Sequence, residues 1–201
     1  MASSSSFIPD TTPPFSEDDV SKLPALALLM KLGYQYLSPT ETIELRGGRK
    51  SHVILFGILE EQLRKMNRVQ FRGEEMPFAE GNIIEAIRVI RDIEDDGLVY
   101  TNEKIWNLLR LGKSFPQTIQ GDTKSFDFNY IDWKHPENNV YHVTDEFVVE
   151  ANGTTETRRP DIVLFVNGIP FNVIECKKPG LPVGKDPIEE AISQQLRNQR
   201  E

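Results

Sequence analysis

Apolar residues change period along this chain. As far as Leu111 they return at three- and four-residue intervals, the period of a helix with one buried face; beyond Ser125 they alternate or run on continuously, as strands do. A first helix is predicted over residues 17–32, with Ser16 as its cap, acids in its first turn, and Leu23, Leu26, Ala27 and Met30 as a buried stripe. Pro24 argues against the first half of that helix, and Gly33 supplies a stop. A second helix is expected from His52 to Asn67, a third from Glu80 to Ile93, and a shorter fourth over Asn102–Leu111. Between the first two, Thr40–Lys50 reads as a polar connector. Ser125–Trp133 and Val140–Glu150 have strand character and could pair across His135–Asn139. Residues 1–16, rich in Ser and Pro, read as a loose leader, which leaves 17–201 as one domain, helix-rich in its first half and built on a sheet in its second.

The densest information lies in Arg158-Arg159-Pro160-Asp161 and the residues that follow. Ile162–Val166 is apolar throughout, Asn167-Gly168 is a hairpin turn signal, and Ile169–Ile174 leads into Glu175-Cys176-Lys177. An uninterrupted apolar strand calls for cover on both faces, which the helices of the first half can supply. Glu175 and Lys177 are two apart on one strand and share a face. Asp161 joins them only in an even register. A plain two-residue turn puts Pro160 opposite Glu175 and turns Asp161 away; a three-residue or bulged turn pairs Phe165 with Ile169 and brings Asp161 opposite Val173, diagonal to Glu175. A shared site therefore requires the three-residue or bulged form.

Two carboxylates at a sheet edge offer hard oxygen ligands to Mg²⁺, with Mn²⁺ also possible, and the backbone carbonyl of Cys176 could complete the set. Lys177 could orient an attacking water or neutralise charge on a scissile phosphate. The thiol of Cys176 should point to the opposite, apolar face and act as a packing group.

Composition narrows the possibilities. No apolar run is long enough to span a bilayer, and Met1–Ser6 lacks the basic and apolar parts of a secretion signal. One cysteine rules out an internal disulfide framework, so a cytoplasmic setting is the expectation. A net charge of -8 is the wrong sign for a domain that grips DNA through a broad basic face, so most affinity for a nucleic acid would come from elsewhere.

The strings Arg-Pro-Asp-Ile-Val-Leu-Phe-Val-Asn-Gly-Ile-Pro and Val-Ile-Glu-Cys-Lys-Lys-Pro resemble the N-terminal endonuclease domain of type I restriction enzyme R subunits, a branch of the PD-(D/E)xK nucleases. Leu28–Tyr34 is similar to the end of that family's first helix, and Glu189–Gln199 to its post-catalytic helix. The resemblance implies a three-layer, restriction-endonuclease-like α/β fold with a central mixed sheet flanked by helices. It implies Mg²⁺-dependent hydrolysis of double-stranded DNA, with Asp161, Glu175 and Lys177 as the catalytic group. Gln195 matches the family's glutamine, while Gln199 stands where the family has tyrosine. Glu17 resembles an acid at the start of the first helix that could serve as a third ligand. Methyltransferase and specificity subunits would be partners, and ATP would be used only by motor domains of the full-length subunit.

Other readings compete. Glu17 is also a plain first-turn acid, Gln195 a solubilising surface residue, and Arg197 and Arg200 either phosphate contacts or surface groups. Glu60 and Glu61 lie on a helix expected near the sheet. His52, His135 and His142 have no metal-ligand spacing. Arg46-Gly47-Gly48-Arg49-Lys50 lacks a P-loop ending but could touch DNA phosphate. Arg158 and Arg159 could steer DNA or pair with Glu150 or Glu156, and Trp106 and Trp133 are expected in the core. A repair or mobile-element nuclease, or a noncatalytic scaffold in a DNA-processing complex, would be the alternatives.

Overall fold

A computed structural model describes residues 21–150 and 156–177, together with Ile188, Glu189, Ile192, Ser193 and Leu196. The expected leader, Ser16, Glu17, Gln195, Arg197, Gln199 and Arg200 lie outside these residues.

The elements run α1 (Leu23–Lys31), β1 (Gln35–Tyr36), α2 (Pro39–Leu45), α3 (Phe56–Met66), β2 (Arg68–Phe71), β3 (Glu74–Pro77), α4 (Glu80–Arg91), α5 (Leu98–Leu111), β4 (Lys113–Ile119), β5 (Asp122–Phe128), β6 (Tyr141–Asp145), β7 (Val149–Glu150), β8 (Thr157–Arg158), β9 (Ile162–Val166) and β10 (Ile169–Ile174). Pro24 sits in the first turn of α1, where its missing N–H costs nothing, so it opens the helix rather than breaking it. The segment expected to be a connector contains α2. Ser38 accepts from the Glu41 amide and the Glu41 carboxylate accepts from the Ser38 amide, a reciprocal cap that Pro39 extends. The helix predicted from His52 begins four residues later, and the one predicted from Asn102 begins four residues earlier.

The central sheet has the order β1-β6-β9-β10, with β1 parallel to β6 and the other pairs antiparallel. All five residues of β9 are buried, as its apolar run requires. Leu26 of α1 packs with Val143, Ile162, Leu164 and Cys176 on one face. On the other, Leu55 and Phe147 pack with Val163 and Phe165, and Leu45 and Ile58 close over them. Helix, mixed sheet and helix thus form three layers.

The expected hairpin between Ser125–Trp133 and Val140–Glu150 does not form. Lys113–Ile119 takes the first of these as its partner through a two-residue turn at Gln120-Gly121, leaving β6 to pair with β1 and β9. Both turn residues have positive φ, the mirror-image turn that matches strand twist. A second, larger core gathers α4, α5 and both small hairpins around Phe71, Phe78, Phe115, Phe128 and Tyr130. Trp106 and Trp133 are not in it: each is about half exposed, at 48% and 46%, and they meet edge to face.

The β9–β10 turn joins the two cores. Asn167 is wholly buried: its Oδ1 accepts from the Val140 amide at 2.9 Å, and its Nδ2 donates to the Tyr130 carbonyl at 3.0 Å and to Asn139 Oδ1 at 2.8 Å. The Gly168 carbonyl accepts from the Leu55 amide at 2.8 Å, just ahead of α3. A Cβ on Gly168 would stand 2.6 Å from the Leu55 carbonyl oxygen, so this position demands glycine for space as well as for its φ of +81°.

Candidate active site

The register of the β9–β10 hairpin decides which charged groups meet. The turn is the two-residue form, with Val166 opposite Ile169, and not the three-residue turn expected of a shared site. Left uncorrected, that register would have turned Asp161 away from Glu175. A bulge between Pro170 and Asn172 shifts the register by one residue, so that Val173 faces Val163 and Ile174 faces Ile162. Continued one step, this pairing sets Glu175 directly opposite Asp161, rather than diagonal to it.

Facing follows from the packing. Val163, Phe165 and Val173 line the α3 side of the sheet, and alternation places Asp161, Glu175 and Lys177 with them. Cys176 is 4% exposed among Leu26, Val143, Ile162 and Leu164 on the opposite side. Its thiol is a packing group and its neighbours in sequence face away from it.

Asp161, Glu175 and Lys177 are half-buried. The Asp161 carbonyl accepts from the Glu146 amide at 3.0 Å, which anchors the start of β9 to the end of β6. Asp161 Oδ2 accepts from the Cys176 amide at 2.8 Å, so the side chain is fixed against the strand that carries Glu175 and Lys177. Oδ1 makes no hydrogen bond among the described residues. The arrangement suits a cation held by Asp161, Glu175 and the Cys176 carbonyl: all are hard oxygen donors, and the bonded Oδ2 orients Oδ1 without competition. No group of three or more Asp, Glu, His or Cys converges on one metal position among the described residues, and Glu17 is not among them.

At the end of β6 lies a polar cluster that sequence reasoning passed over, with Tyr36 and Asp145 on the Val143 side of the sheet, opposite to the pair. Lys22, 6% exposed, reaches Glu146 Oε1 at 3.1 Å and Asp145 Oδ2 at 4.0 Å. Tyr36 donates to Asp145 Oδ1 at 2.7 Å; burial, then the bond to that carboxylate, pushes the phenol pKa up to about 12. Glu146 also accepts from Arg159 at 3.3 Å, which gives that arginine a structural partner other than Glu150 or Glu156. Neighbouring acids are therefore matched by cations. The only sequence signal for this was an Asp-Glu pair ending β6, and nothing marked Lys22.

Other candidates fall away from the site. Glu60 pairs with Arg64, which also holds Glu80. Glu61 is exposed. His52 donates from Nδ1 to the Arg46 carbonyl, His135 lies 3.5 Å from Glu137, and His142 is buried in β6.

The family described as type I restriction enzyme R protein N terminus matches residues 14–201. The chain is 29% identical over 168 residues to the type I restriction enzyme HindI endonuclease subunit of Haemophilus influenzae, covering 82% of this chain and 15% of that protein. It is 30% identical over 175 residues to the MjaVIIIP endonuclease subunit of Methanocaldococcus jannaschii, covering 86% of this chain and again 15% of the relative. The chain thus spans about a seventh of the length of these relatives.

Proposed function

The chain belongs to the type I restriction enzyme R protein N-terminal family, and from that premise we propose that it is the DNA-cleaving domain of a restriction subunit, hydrolysing phosphodiester bonds of double-stranded DNA with Mg²⁺ at Asp161 and Glu175. The observation that supports this most directly is the bulge in β10, which converts a register unfavourable to the pair into one that sets the two carboxylates opposite each other.

Bound Mg²⁺ would supply Lewis acidity toward the phosphate and toward water, and Mn²⁺ could substitute. The protein's part is to orient. Asp161, fixed by the Cys176 amide, presents Oδ1, and Glu175 contributes the second carboxylate. Lys177, two residues on and on the same face, supplies an ammonium to hold the attacking water or to offset charge gathering on the phosphate oxygens. Gln195, carried by family resemblance alone, would contact DNA or a carboxylate, and Glu17 would be a third ligand. The methyltransferase and specificity subunits, and ATP-driven translocation, belong to the remainder of a longer subunit and its complex.

The test is DNA cleavage by the assembled complex carrying Lys177→Ala. Loss of cleavage by about a hundredfold or more, with translocation intact, is the expected result. Cleavage at the unaltered rate would remove Lys177 from the mechanism. Cleavage surviving Asp161→Ala as well would leave the domain as a scaffold.

A further inference from the structure

A second feature near the catalytic end has chemistry of its own. After α2, Gly47 and Gly48 take φ of +70° and +75°, and their amides return to the carbonyls of Glu44 and Ile43, closing the helix end. The chain then runs through Arg49, Lys50, Ser51 and His52. Arg46 holds this loop from beneath. Its side chain, 1% exposed, donates to the carbonyls of Thr42 at 3.1 Å, His52 at 3.1 Å and Val148 at 2.9 Å, and its guanidinium lies 4.1 Å over the Phe147 ring. A buried guanidinium that collects carbonyls from both the loop and the segment before β7 fixes one to the other.

The loop and the end of α4 enclose a pocket of about 340 Å³ lined by Arg49, Ser51, His52, Phe56, Arg91 and Asp92. Asp92 is engaged by Arg91 through Nε at 2.7 Å and Nη2 at 2.8 Å. Lys50 is paired with Glu150 at 3.6 Å. The Arg49 guanidinium, by contrast, makes no hydrogen bond or ion pair among the described residues. In a chain of net charge -8, this is an exposed cation beside a hydroxyl and a second guanidinium, with the one acid of the pocket already matched.

Its position bears on the catalytic face. The Lys50 carbonyl accepts from the Glu150 amide at 3.2 Å, and the Glu146 amide donates to the Asp161 carbonyl. Glu150 is four positions on from Glu146, so the loop backbone lies within roughly 20 Å of Asp161. That is about six axial phosphate spacings along one strand of duplex DNA.

We propose that this pocket holds a backbone phosphodiester of duplex DNA, with Arg49 and the Ser51 hydroxyl as its contacts and Arg46 as the positioning residue beneath. The proposal rests on the nuclease reading for its ligand, and assigns the domain a sequence-independent grip a few nucleotides from the bond to be cut.

The test is binding of a fluorescently labelled duplex to the 201-residue chain without divalent metal, followed by anisotropy across a salt series. Arg49→Ala should weaken binding about fivefold at low salt and lower the slope of log affinity against log salt by about one, with Arg49→Lys recovering part of the loss. Arg110→Ala, an exposed arginine at the end of α5, is the control for net charge and should bind like the parent. Unchanged affinity in Arg49→Ala, an equal loss in Arg110→Ala, or no duplex binding by the parent chain would each overturn the proposal. The two readings separate cleanly: lost cleavage in Lys177→Ala with normal binding in Arg49→Ala keeps the nuclease and removes the pocket, and the reverse pattern does the opposite.

Discussion

Asn167 answers three backbone and side-chain groups from a position with no access to water. Truncation to alanine would leave the Val140 amide and the Tyr130 carbonyl without this partner, and Asn139 Oδ1 with the Asp132 amide alone. A buried polar group stripped of its bond loses the full cost of desolvation, so Asn167→Ala should destabilise the protein by about 3 kcal/mol in urea unfolding. Gly168→Ala should be at least as damaging, since the new Cβ meets backbone at 2.6 Å and 2.9 Å that no side-chain rotation can relieve. His142 makes a different contribution. It is 7% exposed, its Nδ1 finds no partner among the described residues, and burial holds its pKa below the ordinary 6.5. The folded protein thus resists a proton that the unfolded chain accepts. Stability is full above about pH 6.5 and declines as pH falls toward the depressed folded value. His142→Leu should flatten that acid limb of the urea midpoint against pH.

Among the elements, the β10 bulge has the clearest functional consequence. Inserting one alanine between Asn172 and Val173 would advance the register by one residue, put Pro160 opposite Glu175 and send Glu175 and Lys177 to the face now held by Cys176, whereas deleting Phe171 would remove the bulge and leave Glu175 opposite Asp161. Cleavage should be lost in that insertion and kept in Phe171→Ala, which preserves residue count; circular dichroism on both would confirm that the sheet survives. The hairpin was legible in the sequence because an apolar run, Asn-Gly and a second apolar run admit few other structures. Its bulge was harder to see. The available signal was Pro170, which has no N–H to give the ladder and is tolerated on the edge strand that β10 forms in the described sheet. The same limit hid β2–β3 and β4: these strands are largely polar, and only Arg72-Gly73 and Gln120-Gly121 marked the turns. Sequence proximity suggested joining β5 to β6, but a nearer glycine turn captured β5. In α2, the Ser-Pro-Thr-Glu start was a readable cap obscured by the glycines that follow it.

At the scale of the molecule, the sheet is the part closed on both sides and the appended core is the part with open edges. Amides of β9 should exchange most slowly with deuterium, and those of β4–β5, whose two strands have no third partner among the described residues, should exchange well before them. Equal protection across both would mean that the two cores open as one unit. The acidic sign of the chain was readable from composition alone, and it accords with a domain that meets DNA at a few matched points rather than over a broad face. Where those points lie was not readable, because Arg46 acquires its role beneath the loop only when Val148 comes to lie beside it.

The buried Asn167-Gly168 turn also bears on how the protein ages. An asparagine before glycine readily loses its side-chain amide, because the glycine nitrogen can attack the side-chain carbonyl with no Cβ in the way. Folding immobilises both groups and closes that route; unfolding reopens it. Chains held in denaturant at mildly alkaline pH should therefore accumulate succinimide and isoaspartate at position 167. Those molecules would present a carboxylate to the Tyr130 carbonyl oxygen, so the recoverable native fraction should fall with time in denaturant, and peptide mapping should find the lesion at position 167 as well as at the chain's other Asn-Gly, 152–153.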